Sequence, residues 1–222
     1  WPVYGGDAGG LKYSPLTDID RNNVSKLQPV WTWETREQAI PSASSPLQGE
    51  RVAPGAFEAT PIVINDTMWV STPYNRVVAL NAETGAEYWS YDPKAYEWGN
   101  LHRGCRFCHR GITQWSDGQE RRIFLNSRWR LIALDAATGE MISSFGNGGE
   151  VDLTKGLAWD ANRLHISNTS PAVVFEDIVI VGSGVPDTRI YRNNPPGDVQ
   201  AFDARSGKLL WTFHTIPKEG EF

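Results

Sequence analysis

One phrase, written three times, restricts this chain to few folds. Residues 77–89, 131–140 and 199–211 share an order of residue types: alternating apolar positions, an Asn or Asp, then a Thr-Gly or Ser-Gly pair. The alternation, Val78/Leu80 in the first copy and Ile132/Leu134 in the second, has the period of a strand with one buried face. From Asn81 to Gly85, Asp135 to Gly139 and Asp203 to Gly207 the chain reverses. There the Asn or Asp side chain can accept bonds from the backbone ahead of it, and the glycine can take a positive φ without a Cβ clash. Each copy is predicted to be a β-hairpin that returns directly in an apolar or aromatic strand, with Trp89 and Trp211 on two of the return strands.

Strand-like runs precede each copy, at residues 60–70, 122–125 and 170–182, so a unit holds about four short strands. Equivalent positions recur at roughly 50–70 residues, a propeller-blade period once loops at 95–118 and 152–166 are allowed for. Helical periodicity is nearly absent, and Gly (21) and Pro (14) punctuate the whole chain. The predicted fold is all-β: a β-propeller, of which residues 1–222 form one partial domain of about three to four blades. The stretch at 24–34 is expected to contribute to the additional blade. Because four to eight blades close a ring, the functional protein is expected to be longer. An opening at Trp1 without Met or signal peptide fits a processed or truncated piece.

Composition excludes some partners. The formal charge of −5 comes from 26 acidic and 21 basic residues scattered along the chain, without the basic stripe that nucleic acid or an anionic membrane surface requires. The longest apolar runs, at 172–175 and 178–181, are strand-sized and far short of a membrane-spanning helix. The strand-borne tryptophans Trp1, Trp31, Trp69, Trp89 and Trp211 are read as packing between blades rather than as ligands.

The two cysteines, Cys105 and Cys108, stand in a C-x-x-C spacing that suits a disulfide, a redox couple or part of a metal or haem site. With His109 they spell the c-type haem signature, in which two thioethers hold the porphyrin and the histidine supplies an axial ligand. Structural zinc needs four ligands, and His102, His165 and His214 show no paired spacing to complete them.

Beyond the repeat, further phrases carry a resemblance: the opening from Trp1 to Asp7, Lys12 to Leu16, Asn23 to Leu27, Glu58 to Pro61, Arg110 to Ile112, and residues 199–217. Together they resemble, over nearly the whole chain, the N-terminal part of the pyrroloquinoline quinone (PQQ)-dependent alcohol and glucose dehydrogenases. The resemblance implies an eight-bladed propeller with the quinone near its axis and calcium or magnesium beside it. It implies oxidation of a small alcohol or sugar, glucose-type oxidation among them, with electrons passed to ubiquinone or a cytochrome. A periplasmic location is implied too, with the inner membrane as an association surface of the full-length protein.

Site residues carry over from the resemblance position by position. Glu58 matches a cofactor-bonding glutamate, and Arg110 an arginine beside the quinone, where a planar guanidinium pairs with carboxylate or carbonyl oxygens in a way lysine cannot. Cys105 and Cys108 match a disulfide stacked over the quinone plane, though here two residues intervene. Thr169 and the pair Ser183 and Gly184 match strand ends that donate to the quinone carboxylates, and Asp187 falls near a calcium-ligating acid. The family's catalytic aspartate lies further along than residue 222, so no catalytic residue is nominated and the segment alone is expected not to turn over. Two other classes stay open: a non-catalytic periplasmic propeller scaffold, and a c-type haem electron-transfer protein built on Cys105, Cys108 and His109. Their sequential place directly before Arg110, in a loop feeding a blade, favours the disulfide over haem.

Overall fold

A computed structural model describes residues 1–7, 9–42, 50–101, 107–185 and 191–221. A short ladder pairs β1 (Ile40–Pro41) with β2 (Arg51–Val52). Twelve further strands form three four-stranded antiparallel sheets. The first contains β3 (Ile62–Ile64), β4 (Thr67–Ser71), β5 (Val77–Asn81) and β6 (Glu87–Tyr91). The second contains β7 (Thr113–Ser116), β8 (Arg121–Ser127), β9 (Arg130–Asp135) and β10 (Glu150–Asp152). The third contains β11 (Val173–Phe175), β12 (Ile178–Gly182), β13 (Val199–Asp203) and β14 (Leu209–Phe213). Each is a meander in chain order, the topology of a propeller blade.

The turn chemistry is as the repeat predicts. Asn81 Oδ1 accepts from the Glu83 and Thr84 amides at 3.0 and 2.8 Å, and Asp135 Oδ1 from Ala137 and Thr138 at 2.8 and 2.9 Å. Asp203 Oδ1 does the same with Arg205 and Ser206. Gly85, Gly139 and Gly207 all take φ between 71° and 76°.

Successive blades pack face to face. Ile62, Trp69, Val77 and Ala79 of the first sheet meet Ile123, Leu125, Ile132 and Leu134 of the second. Phe124, Leu131 and Ala133, with Phe145 from the loop before β10, meet Val179, Val181 and Phe202 of the third. Trp69 and Trp89 pack between the first two sheets as expected, whereas Trp1 and Trp211 are exposed. Trp31 lies against Gly85, and its Nε1 donates to Ala82 O at 3.1 Å. Trp89 lies against Gly139 of the next blade, and its Nε1 donates to Ala136 O at 3.2 Å.

One expectation needs correction. In the second copy the return strand does not follow Gly139; only a single bridge, Leu134 to Met141, forms there, and the fourth strand begins at Glu150. Residues 142–149 are drawn inward because Phe145 is fully buried against Phe124, and positive φ at Gly146, Gly148 and Gly149 lets the chain turn back to the sheet edge. The stretch at 24–34 makes a 3-10 turn at Val24–Lys26 and then lays Trp31 and Trp33 on the first sheet, against Val70, Val78 and Leu80. A strand requires a laddered neighbour, and this stretch has none among the described residues.

Candidate functional site

The candidate residues gather where the chain enters the first strand of each sheet. The segment 107–111 runs from the first blade toward β7 and is tied on both sides. Gly55 N donates to Phe107 O at 2.9 Å, and Thr60 N to Arg110 O at 2.9 Å. Arg110 N donates to Thr169 O at 2.7 Å. Arg110 is thereby held between the strand entrances of the first and third blades. Its Nε stands 3.4 Å from Glu58 Oε2, and the two side chains keep 48% and 39% of their surface exposed. A pair that open to solvent contributes little to stability and remains able to bind something else.

The entrance that carries Thr169 also holds polar groups without partners among the described residues. Gly184 N donates to Ser167 O at 2.9 Å, which places the 183–184 strand end beside the entrance that carries Thr169. The hydroxyls of Ser183 and Ser167 are buried and have no hydrogen-bond partner among the described residues, a cost of about 1–3 kcal/mol each unless a ligand or water meets them. Cys108, two residues before Arg110, is buried. Cys105 and Asp187, the predicted disulfide partner and metal ligand, lie outside the described residues. No group of three or more metal-ligating side chains occurs among the described residues.

His109, which the sequence reading marked only as a haem-signature histidine, and residues it did not single out complete the surround. His109 is 1% exposed, with Nδ1 2.8 Å from Ser71 Oγ on β4 and Nε2 3.1 Å from Asn126 O on β8. A carbonyl only accepts, so Nε2 carries the proton and Nδ1 accepts from the serine hydroxyl. Burial pushes the imidazole pKa down to about 4, so the ring is neutral near pH 7. With both nitrogens engaged inside the core, His109 has none to offer an iron, which opposes the haem reading. Asn126 Nδ2 donates in turn to Ser170 O at 2.6 Å. The signal for this network was present as the polar ending Asn126 and Ser127 on a strand otherwise apolar from Ile123 to Leu125.

Arg128 supports the same segment from below. It is almost fully buried, donates to Ala95 O at 2.7 Å and to Gly99 O, and lies over the Phe107 ring at 5.3 Å. Burial lowers its pKa to about 10, which leaves it cationic at neutral pH.

The donor set fits a flat, polyanionic molecule: a half-exposed guanidinium, unpartnered buried hydroxyls, a carboxylate to receive an N–H, and a buried sulfur. PQQ carries three carboxylates, a pyrrole N–H and two adjacent carbonyls, and these features match the set.

Comparisons with known proteins bear on the family and the fold. A family model described as PQQ: Glucose/ethanol/alcohol dehydrogenase, beta-propeller domain, matches residues 1–222. Quinoprotein glucose dehydrogenase A of Acinetobacter calcoaceticus is 30% identical over 97% of this chain and 28% of its own length. The glycerol dehydrogenase large subunit of Gluconobacter oxydans is 31% identical over 96% of this chain and 28% of its own. The solved quinohemoprotein alcohol dehydrogenase of Comamonas testosteroni superposes with a TM-score of 0.73 at 26% identity, over 98% of this chain and 27% of that one. The chain thus spans little more than a quarter of the length of the relatives it matches.

Proposed function

Because the chain belongs to the PQQ-dependent glucose/ethanol/alcohol dehydrogenase β-propeller family, we propose that it forms the first blades of an eight-bladed quinoprotein and one wall of its cofactor site. The whole protein oxidises the CH–OH group of a small alcohol or sugar, with glucose-type substrates foremost, and passes electrons to ubiquinone or a cytochrome. The observation that carries this reading is the Glu58–Arg110 pair, half exposed and held by backbone bonds between Thr60 and Thr169.

When bound, PQQ would supply an electrophilic carbonyl able to accept hydride from a carbinol carbon. Arg110 binds its carboxylate or carbonyl oxygens and holds positive charge where negative charge develops. Glu58 accepts an N–H and fixes the Arg110 fork. Thr169, Ser183 and Gly184 orient the carboxylates through hydroxyl and backbone donors. Calcium or magnesium at Asp187, a disulfide between Cys105 and Cys108 packed against the ring, and a periplasmic location complete the proposal. The disulfide reading is supported by the absence of a free thiol among the described residues and by the burial of Cys108. Such a bond persists in an oxidising compartment.

The test is absorption and dye reduction by the full-length protein mixed with PQQ and calcium. The wild type is expected to bind quinone and reduce dye with an alcohol or sugar. Arg110→Ala is expected to bind about 10–100-fold more weakly, and Arg110→Lys to recover only part of the loss, because lysine lacks the planar fork. A propeller that binds no quinone would be a scaffold, and covalent haem absorption would return the cysteine loop to electron transfer.

A further inference from the structure

The imidazole of His109 joins parts of the fold that no backbone ladder connects. Ser71 lies at the end of β4 in the first blade and Asn126 near the end of β8 in the second. Through Asn126 Nδ2 the connection continues to Ser170, at the entrance of the third blade. One residue later, Arg110 is bonded through its backbone to Thr60 and Thr169, at the first and third entrances. One residue earlier is Cys108.

We propose that His109 is a positioning residue for the cofactor: its neutral ring bridges Ser71 and Asn126 and thereby sets where Arg110 and Cys108 stand relative to Glu58 and Thr169. The inference rests on the reading of this opening as a quinone site. Three features argue for it. The ring is buried, so the two bonds are not exchanged with water and hold their geometry. Its partners belong to different blades, so the bridge registers one blade against the next instead of stabilising a single sheet. The peptide it carries is the one that presents Arg110, whose Nε must stay near Glu58 while its remaining N–H groups face a ligand. A shift of about 1 Å in such a group is enough to impair binding or catalysis strongly.

The side-chain pattern also specifies which replacements preserve the bridge. Glutamine retains an N–H directed as Nε2 is, toward Asn126 O, whereas alanine removes both bonds and leaves the Asn126 carbonyl unpaired.

The experiment titrates the full-length protein with PQQ in the presence of calcium, following tryptophan fluorescence well below the unfolding temperature. It compares wild type, His109→Ala, His109→Gln and a core control, Leu134→Ala, whose side chain lies between the first and second sheets. His109→Ala is expected to raise the Kd for PQQ at least about 10-fold, equivalent to about 1.4 kcal/mol. His109→Gln should recover most of that loss, and Leu134→Ala should keep the wild-type Kd despite a lower unfolding temperature. An unchanged Kd in His109→Ala overturns the positioning role while leaving the quinone reading intact. An equal loss in Leu134→Ala also overturns it, since general loosening would then account for the effect. Absence of PQQ binding by the wild type overturns both.

Discussion

His109 makes folding sensitive to mild acid through a single ring. Its folded pKa is about 4, against 6.5 for the free side chain, with burial as the main cause. Between those values the unfolded chain binds a proton that the folded chain refuses, so stability is complete above about pH 6.5 and falls as pH drops toward 4. The loss is on the order of 3 kcal/mol by linkage. Denaturant unfolding at pH 7 and pH 4.5 should show this difference in wild type and not in His109→Gln, the other titrating groups being common to both. At Gly139 the constraint is steric. Its φ is +76°, and an added Cβ would stand 2.5 Å from the Trp89 ring. Gly139→Ala is expected to cost about 2–4 kcal/mol, measurable as a lowered denaturation midpoint at unchanged m-value.

At the scale of the element, the hairpin is a unit that registers one blade on the next. β6 places Trp89 on the turn after β9, where the ring covers Gly139 and the indole N–H meets Ala136 O. Trp89→Ala should therefore cost about 3 kcal/mol or more in packing and hydrogen bonding. Its counterpart on β14, Trp211, is 43% exposed. Trp211→Ala in this 222-residue chain should cost no more than about 1 kcal/mol. Thermal unfolding of the two variants side by side checks the contrast, and an equal loss would mean that the ring on β14 is already docked. The second hairpin shows how far local pattern reaches. Its turn formed where Asp135 and Gly139 require it, but the return strand was displaced to Glu150, because burial of Phe145 outweighed continuation of the ladder.

For the whole molecule, the decisive feature is that the sheets end in an open face. Cross-strand pairing puts Val173, Ile180, Ala201 and Trp211 in one row, with Phe175 and Phe213 in neighbouring rows. Val173 and Phe175 are each 61% exposed, and Phe213 is 57% exposed. The two preceding sheet interfaces bury equivalent apolar rows, so a further blade would cover this one. The isolated chain is expected to self-associate through this face, with a sedimentation coefficient that rises with concentration. Phe175→Lys combined with Phe213→Lys should return it to a single slow species. Concentration-independent sedimentation of the unmodified chain would contradict this account.

The sequence by itself determined the blade. Turn chemistry at Asn81, Asp135 and Asp203, alternation in β5, β9 and β13, and glycines at the reversals are local requirements, met by residues within a few positions of one another. It also marked Glu58, Arg110 and Thr169 as belonging together, through their resemblance to a family pattern. Only the tertiary structure decided that Arg110 is tied to Thr169 and Glu58 across two blades, and that His109 faces the core with both nitrogens taken. Those contacts join residues 17 to 59 positions apart. The depth and orientation of a side chain depend on what the packed blades bring against it, which a local pattern does not encode.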